Sequence, residues 1–142
     1  MMDQLVWCGR IRNGISLTAP NETLASAYLK KAEEALETMQ TITAHDWRIT
    51  TAYCATYFSL DAVLTWIGIR CENHPCTILS MKRLLSDYFT PAETALVEKA
   101  RGARIDAWYY VSREVPDPFC EELIWAAPRF LVKCGGIVDG NE

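Results

Sequence analysis

The sequence lacks every short motif that would announce a nucleotide or hydrolase site. It has no GxGxxG or GxxxxGK[ST] phosphate cradle and no GxSxG nucleophile elbow. Histidine is scarce. His45 and His74 are the whole stock, which limits acid–base chemistry near neutral pH, where imidazole is the side chain that titrates unaided. Positive charge is not in excess: 14 Lys and Arg face 18 Asp and Glu, a net charge of −4. No global basic field therefore recruits nucleic acid or anionic membrane, and any nucleic-acid contact has to be local. Strand-like alternation of convincing length is missing. The opening residues, Met1-Met2-Asp3-Gln4-Leu5-Val6-Trp7-Cys8, lack the basic segment and long apolar run of a signal peptide. A cytoplasmic setting follows, with Cys8, Cys54, Cys71, Cys76, Cys120 and Cys134 expected as reduced thiols and not as a disulfide framework. Residues 52–69 carry a single charge, Asp61, but it sits mid-segment beside Thr56, Ser59 and Thr65. That pattern suits a helix buried in a soluble bundle and argues against a membrane span.

What is present is apolar and aromatic. Half of the 142 residues are hydrophobic, with five Trp and six Tyr among them. This is enough for one domain with a real core, and the aromatics favour aromatic-rich packing or an interface. Asn21 is placed to cap a helix whose apolar face is Leu24, Tyr28, Ala32, Ala35, Leu36 and Met39, with Lys30, Lys31, Glu33, Glu34 and Glu37 opposite. Asp46 is placed to cap a second helix, with the stripe Ile49, Tyr53, Thr56, Leu60, Val63, Leu64 and Ile67, which predicts the core helix. Asn73 or Thr77 can cap a shorter third helix through Ile78, Met81 and Leu85. Thr90-Pro91-Ala92-Glu93 predicts a capping box with proline in the first turn of a fourth helix. Gly102 inside that helix predicts close packing by a neighbour. Asp117-Pro118 starts a fifth helix, kinked at Pro128 and stopped by Gly135-Gly136. The expected fold is all-α: a five-helix, up-down antiparallel bundle over residues 21–134, with an irregular N-terminal arm (1–20) and a frayed tail (135–142).

The polar groups fall into two sets. Cys71, His74 and Cys76 offer zinc-type ligands within six residues, but a structural zinc site needs four, so they are half of a set and no metal is assigned. Both histidines are expected in loops, as exposed or cap-associated side chains. The fourth helix is richer. Arg101, Arg104 and Trp108 share one face, with Arg104 expected over Trp108, while Asp106, Tyr110 and Arg113 form a second polar line. Such a helix serves as an ion-pair network between helices, or as a surface for phosphate and base, since a guanidinium beside aromatics suits a nucleotide.

Four pieces follow one another in a recognisable order: Tyr28-Leu29-Lys30-Lys31-Ala32-Glu33-Glu34-Ala35-Leu36, then Ala52-Tyr53-Cys54-Ala55-Thr56-Tyr57-Phe58, then Gly68-Ile69 with Asn73-His74, then Arg104-Ile105-Asp106-Ala107-Trp108-Tyr109. Their order and spacing resemble the HEPN superfamily, small α-helical proteins encoded in prokaryotes beside minimal nucleotidyltransferases. Family members that cleave RNA carry an arginine followed four to six residues later by histidine, and two copies meet to form a metal-independent site. Arg104 matches the arginine, but Tyr109, Tyr110 and Val111 stand where the histidine would be. Tyrosine, with a pKa near 10, is a poor general base at neutral pH. Unless His45 or His74 folds back into the site, cleavage should be weak or absent. The resemblance implies a homodimer groove carrying Arg104, Asp106 and Tyr109, with Arg101, Trp108 and Tyr53 as further nucleotide- or RNA-facing residues. It implies a nucleotidyltransferase partner in a toxin–antitoxin or defence-type system, Tyr109 or Tyr110 as modification sites, and no cofactor. The alternatives are an active endoribonuclease using Arg104 and a plain helical interaction module.

Overall fold

The structure is a computed structural model that describes residues 3–109 and 115–140. Among them are six helices and one two-residue strand pair: α1 (Gln4–Arg10), β1 (Ser16–Leu17), α2 (Glu22–Thr41), α3 (His45–Ile67), β2 (Ile69–Arg70), α4 (His74–Leu84), α5 (Pro91–Tyr109) and α6 (Asp117–Val138). The chain is mostly helical, as expected, and none of the described helices is long and apolar enough to cross a membrane.

Helix α3 is the spine. It packs against α2, α5 and α6, and so many of its sides are covered that small residues such as Ala52, Ala55, Ser59 and Ala62 are as buried as Ile49, Leu60 and Val63. Its first half shares a core with Met39, Ala100 and Leu123. Its second half shares another with Met81, Val97, Phe130 and Ile137. Each buried Leu or Ile contributes roughly 1.5–3 kcal/mol of apolar transfer. Buried hydroxyls on the spine are satisfied locally: Ser59 donates to the Ala55 carbonyl at 2.7 Å and Thr56 to the Tyr53 carbonyl at 2.8 Å.

Local signals act where the sequence places them. Asn21 Oδ1 accepts from Leu24 N–H at 2.9 Å and starts α2. Asn73 Oδ1 accepts from Cys76 N–H at 3.0 Å and starts α4. The capping box is complete: Thr90 N–H donates to Glu93 Oε1 at 2.8 Å, and Glu93 N–H to Thr90 Oγ1 at 3.2 Å. Glu93 also pairs with Lys133 of α6 at 2.6 Å.

Several expectations change. The count is six helices among the described residues, because the N-terminal arm contains α1, capped by Asp3, and a strand pair with Ser16 opposite Arg70 and Leu17 opposite Ile69. Asp46 is not the cap of α3. The helix starts two residues earlier, after Ala44, and Asp46 supplies negative charge in the first turn. Gly135 and Gly136 do not stop α6, which runs on to Val138 because Ile137 is buried in the core. Cys8 and Cys76 are not free thiols. They form a disulfide with a Cα–Cα distance of 5.7 Å, while Cys54, Cys71, Cys120 and Cys134 are not in disulfides.

The arm acts as a clamp. Besides the disulfide, Thr18 N–H donates to Gly68 O at 2.8 Å, Asn21 N–H to Thr65 O at 3.1 Å and Glu72 N–H to Asn13 O at 3.0 Å. These bonds fix the connection between α3 and α4 against the first twenty residues. Gly68 ends α3 at φ +104°, and a Cβ there would lie 2.6 Å from the Thr18 carbonyl oxygen. Gly102 is the reverse case. It is exposed, and a Cβ on it would meet nothing within 4 Å, so no close packing explains it.

Two outcomes follow. Gly102→Ala raises unfolding free energy by up to about 1 kcal/mol, the helix-propensity difference, whereas Gly68→Ala lowers it by more than about 1 kcal/mol because both φ and space oppose a side chain; urea unfolding reads both. The Cys8→Ser/Cys76→Ser double variant loses roughly 4 kcal/mol on a chain-entropy basis for a loop of this length, and an unchanged midpoint would show that the clamp holds without its bond.

Candidate functional site

The clamped connection delivers His74 to the face of α3. His74 is the first residue of α4, held there by the Asn73 cap and by Pro75 in the first turn. Its Nδ1 lies 2.7 Å from the Tyr53 hydroxyl. Its ring stacks on Tyr57 with centroids 4.0 Å apart and planes 23° from parallel. Tyr53 and Tyr57 are one turn apart on α3, which is why both reach the same imidazole. Tyr57 donates to Thr77 Oγ1 at 2.9 Å, and Thr77 donates to the Asn73 carbonyl at 3.1 Å. Each member of this chain of bonds therefore has a fixed rotamer.

Arg104 approaches from α5. Its guanidinium carbon is 5.4 Å from the centre of the Tyr53 ring, a cation–π contact on the same tyrosine that holds His74. The expected pairing with Trp108 is replaced. Trp108 meets Trp47 edge-on at 5.1 Å and donates to the Thr50 hydroxyl. The Arg104 Nε is buried without a hydrogen-bond partner, and among the described residues no hydrogen bond or ion pair engages the guanidinium of Arg104 or Arg101. Buried guanidinium nitrogens are normally paired, and the Arg48 Nε is likewise without a hydrogen-bond partner among the described residues.

The electrostatics follow from this packing. Burial first, then the charges of Arg104 and Arg101, hold the His74 pKa below the ordinary 6.5, so the imidazole is neutral at pH 7. Burial pushes Tyr53 up to about 12 against the opposing pull of Arg104 and Arg101, so its phenol stays protonated. We assign the Tyr53 hydroxyl as donor and His74 Nδ1 as acceptor, which leaves the ring proton on Nε2. Burial also raises the Cys54 thiol, again opposed by Arg104.

The residues picked from sequence thus separate. Arg101, Arg104 and Tyr53 share one electrostatic neighbourhood, and His74 joins them although the sequence alone placed it in a loop. Tyr53 is 2% exposed, so it positions the groups around it and does not face solvent. Asp106 is on another side of α5, where it lines a depression with Phe119 and Pro116. Trp108 and Trp47 remain 47% and 53% exposed beside the end of α5. The side chain of Tyr109, and all of Tyr110 and Arg113, lie outside the described residues. The half-set of metal ligands fails, because the Cys76 sulfur is in the disulfide and His74 Nδ1 is engaged by Tyr53. His45 begins α3 and does not join the group: its Nε2 is 3.1 Å from the Val115 carbonyl and its Nδ1 3.6 Å from Asp117. Tyr57 and Thr77, expected only as a helix-core residue and a possible cap, join the site as well; the Tyr53/Tyr57 spacing on one helix is the sequence signal for it. No protein-family model matches the chain, and no curated protein matches it significantly.

The pH dependence has a defined sign. Because the folded His74 pKa is depressed, the unfolded chain binds the proton more readily as pH falls. The contribution is intact above about 6.5 and is lost as pH drops through 6.5 towards the folded value. An NMR titration of His74 should give a midpoint below 6.5, moving upward in Arg104→Ala; a midpoint at or above 6.5 would contradict the assigned environment.

Proposed function

We propose that the chain is a HEPN-like protein that binds RNA or a nucleotide through a phosphate held by Arg104 and Arg101. The observation that carries this reading is the half-buried Arg104 guanidinium, unpartnered among the described residues, resting on the tyrosine that also fixes a neutral histidine. A guanidinium fork with open hydrogen-bond positions suits a phosphate. The exposed Trp47–Trp108 pair near the same end of α5 supports it, offering ring faces to a base or to a second copy of the chain. The overall charge of −4 confines nucleic-acid affinity to this patch. The wider reading is a homodimer through α3 and α5, acting with a minimal nucleotidyltransferase in a toxin–antitoxin or defence-type system.

His74 favours a second reading, metal-independent RNA cleavage. The family's histidine is missing after Arg104, but an imidazole from α4 reaches the same neighbourhood; in the other neutral tautomer, with Nδ1–H donating to the Tyr53 hydroxyl oxygen, its Nε2 would be free to accept a proton from a ribose 2′-hydroxyl. Arg104 and Arg101 would then stabilise charge developing on the phosphate.

One experiment separates the readings. Fluorescence anisotropy of a labelled single-stranded RNA in EDTA, with gel analysis of the same samples, reports binding and cleavage together. Arg104→Ala should weaken binding about tenfold or more, the loss of one charge-assisted contact, and affinity should fall with added salt. Cleavage abolished by His74→Ala selects the enzyme. Binding without cleavage selects the non-cleaving protein, and unaltered or absent binding in both proteins rejects the phosphate site. A purely monomeric species in light scattering rejects the dimer groove.

A further inference from the structure

A second site lies where α2, α3 and the clamped connection meet. A cavity of about 290 Å³ is lined by Leu24 and Tyr28, by Asp61 and Thr65, and by the paired Arg70 and Glu72, with room for about ten water-sized groups. Asp61 is the only acid within residues 52–69 and sits at mid-helix on the spine. Among the described residues no hydrogen bond or salt bridge engages it, and its partly buried carboxyl lines this cavity. Partial burial disfavours the charged form of the carboxyl unless a cation accompanies it. Arg70 does not, because its Nη2 is 3.0 Å from Glu72 Oε1.

We propose that this cavity binds a small organic ammonium compound, its cationic head paired with Asp61 and flanked by the Tyr28 ring.

The chemistry selects this class over the alternatives. A metal ion wants several oxygen or nitrogen ligands, and no group of three or more His, Cys, Asp or Glu that could hold one occurs among the described residues. An alkylammonium needs one carboxylate and gains from an aromatic wall. Tyr28 supplies that wall, and its own ring is fixed against Phe58 with centroids 6.3 Å apart. Leu24 adds apolar surface for a short carbon chain. Burial raises the Asp61 carboxyl to about 7 and, with Asp61 next in importance, raises the Tyr28 phenol. A bound cation restores the charged form of the carboxylate that burial opposes. The site is distinct in chemistry from the arginine cluster: one takes a cation and the other an anion, so either can fail alone.

The test uses the full-length protein with n-butylammonium chloride, titrated at constant ionic strength against sodium chloride and followed by NMR. Saturable shifts confined to Tyr28, Asp61 and Thr65 are expected. Asp61→Asn should weaken binding at least about tenfold, as loss of a partly buried charge pair does, and Tyr28→Leu should weaken it by a smaller factor. Tyr28→Leu also keeps the test decisive if Asp61→Asn does not fold. Absence of saturable binding, equal shifts with sodium chloride alone, or wild-type affinity in a folded variant of either residue would overturn the proposal.

Discussion

The burial of α3 is the constraint from which the rest follows. A helix covered by α2, α5 and α6 cannot place polar groups freely, so most of those it carries are satisfied locally or open onto a cavity or neighbouring element. Ser59 and Thr56 return their hydroxyls to the helix. Tyr53 and Tyr57 reach across to α4. Asp61 opens onto the cavity. The two candidate sites are built on two of the places where the spine's chemistry is not closed within its own turn.

The N-terminal arm acquires a role from this geometry. His74 stands at the start of a short helix, a position that frays when unsupported. The disulfide two residues later, the strand pair and the Glu72–Asn13 bond hold that end in place. Sequence-distant segments therefore set the position of the imidazole, while α5 sets the guanidinium. Tyr53 touches both, so the histidine and the arginine are coupled through one buried ring.

What the sequence disclosed follows the range of the forces involved. Caps and helix periods are local, and Asn21, Asn73 and the Thr90–Glu93 box act where composition places them. The core stripe of α3 was equally readable, because 3.6-residue periodicity survives any tertiary arrangement. Long-range contacts were not. Nothing near Cys8 indicates Cys76, and the expectation of a reducing compartment pointed towards reduced thiols. His74 looked like a loop histidine because its partners, Tyr53 and Tyr57, lie on another helix. Gly135 and Gly136 resembled a stop, but burial of Ile137 outweighed their weak helix propensity. Arg104 was identified from its neighbours in sequence, yet its ring contact is with Tyr53 and not with Trp108 one turn away.

The central claim is that Arg104 and His74 serve one site although they come from different helices. A double-mutant cycle on RNA affinity, using Arg104→Ala, His74→Ala and the pair, measures this directly. Shared use of one phosphate predicts a coupling energy of at least about 0.5 kcal/mol. Strict additivity of the two losses, in variants that keep wild-type stability, would contradict it.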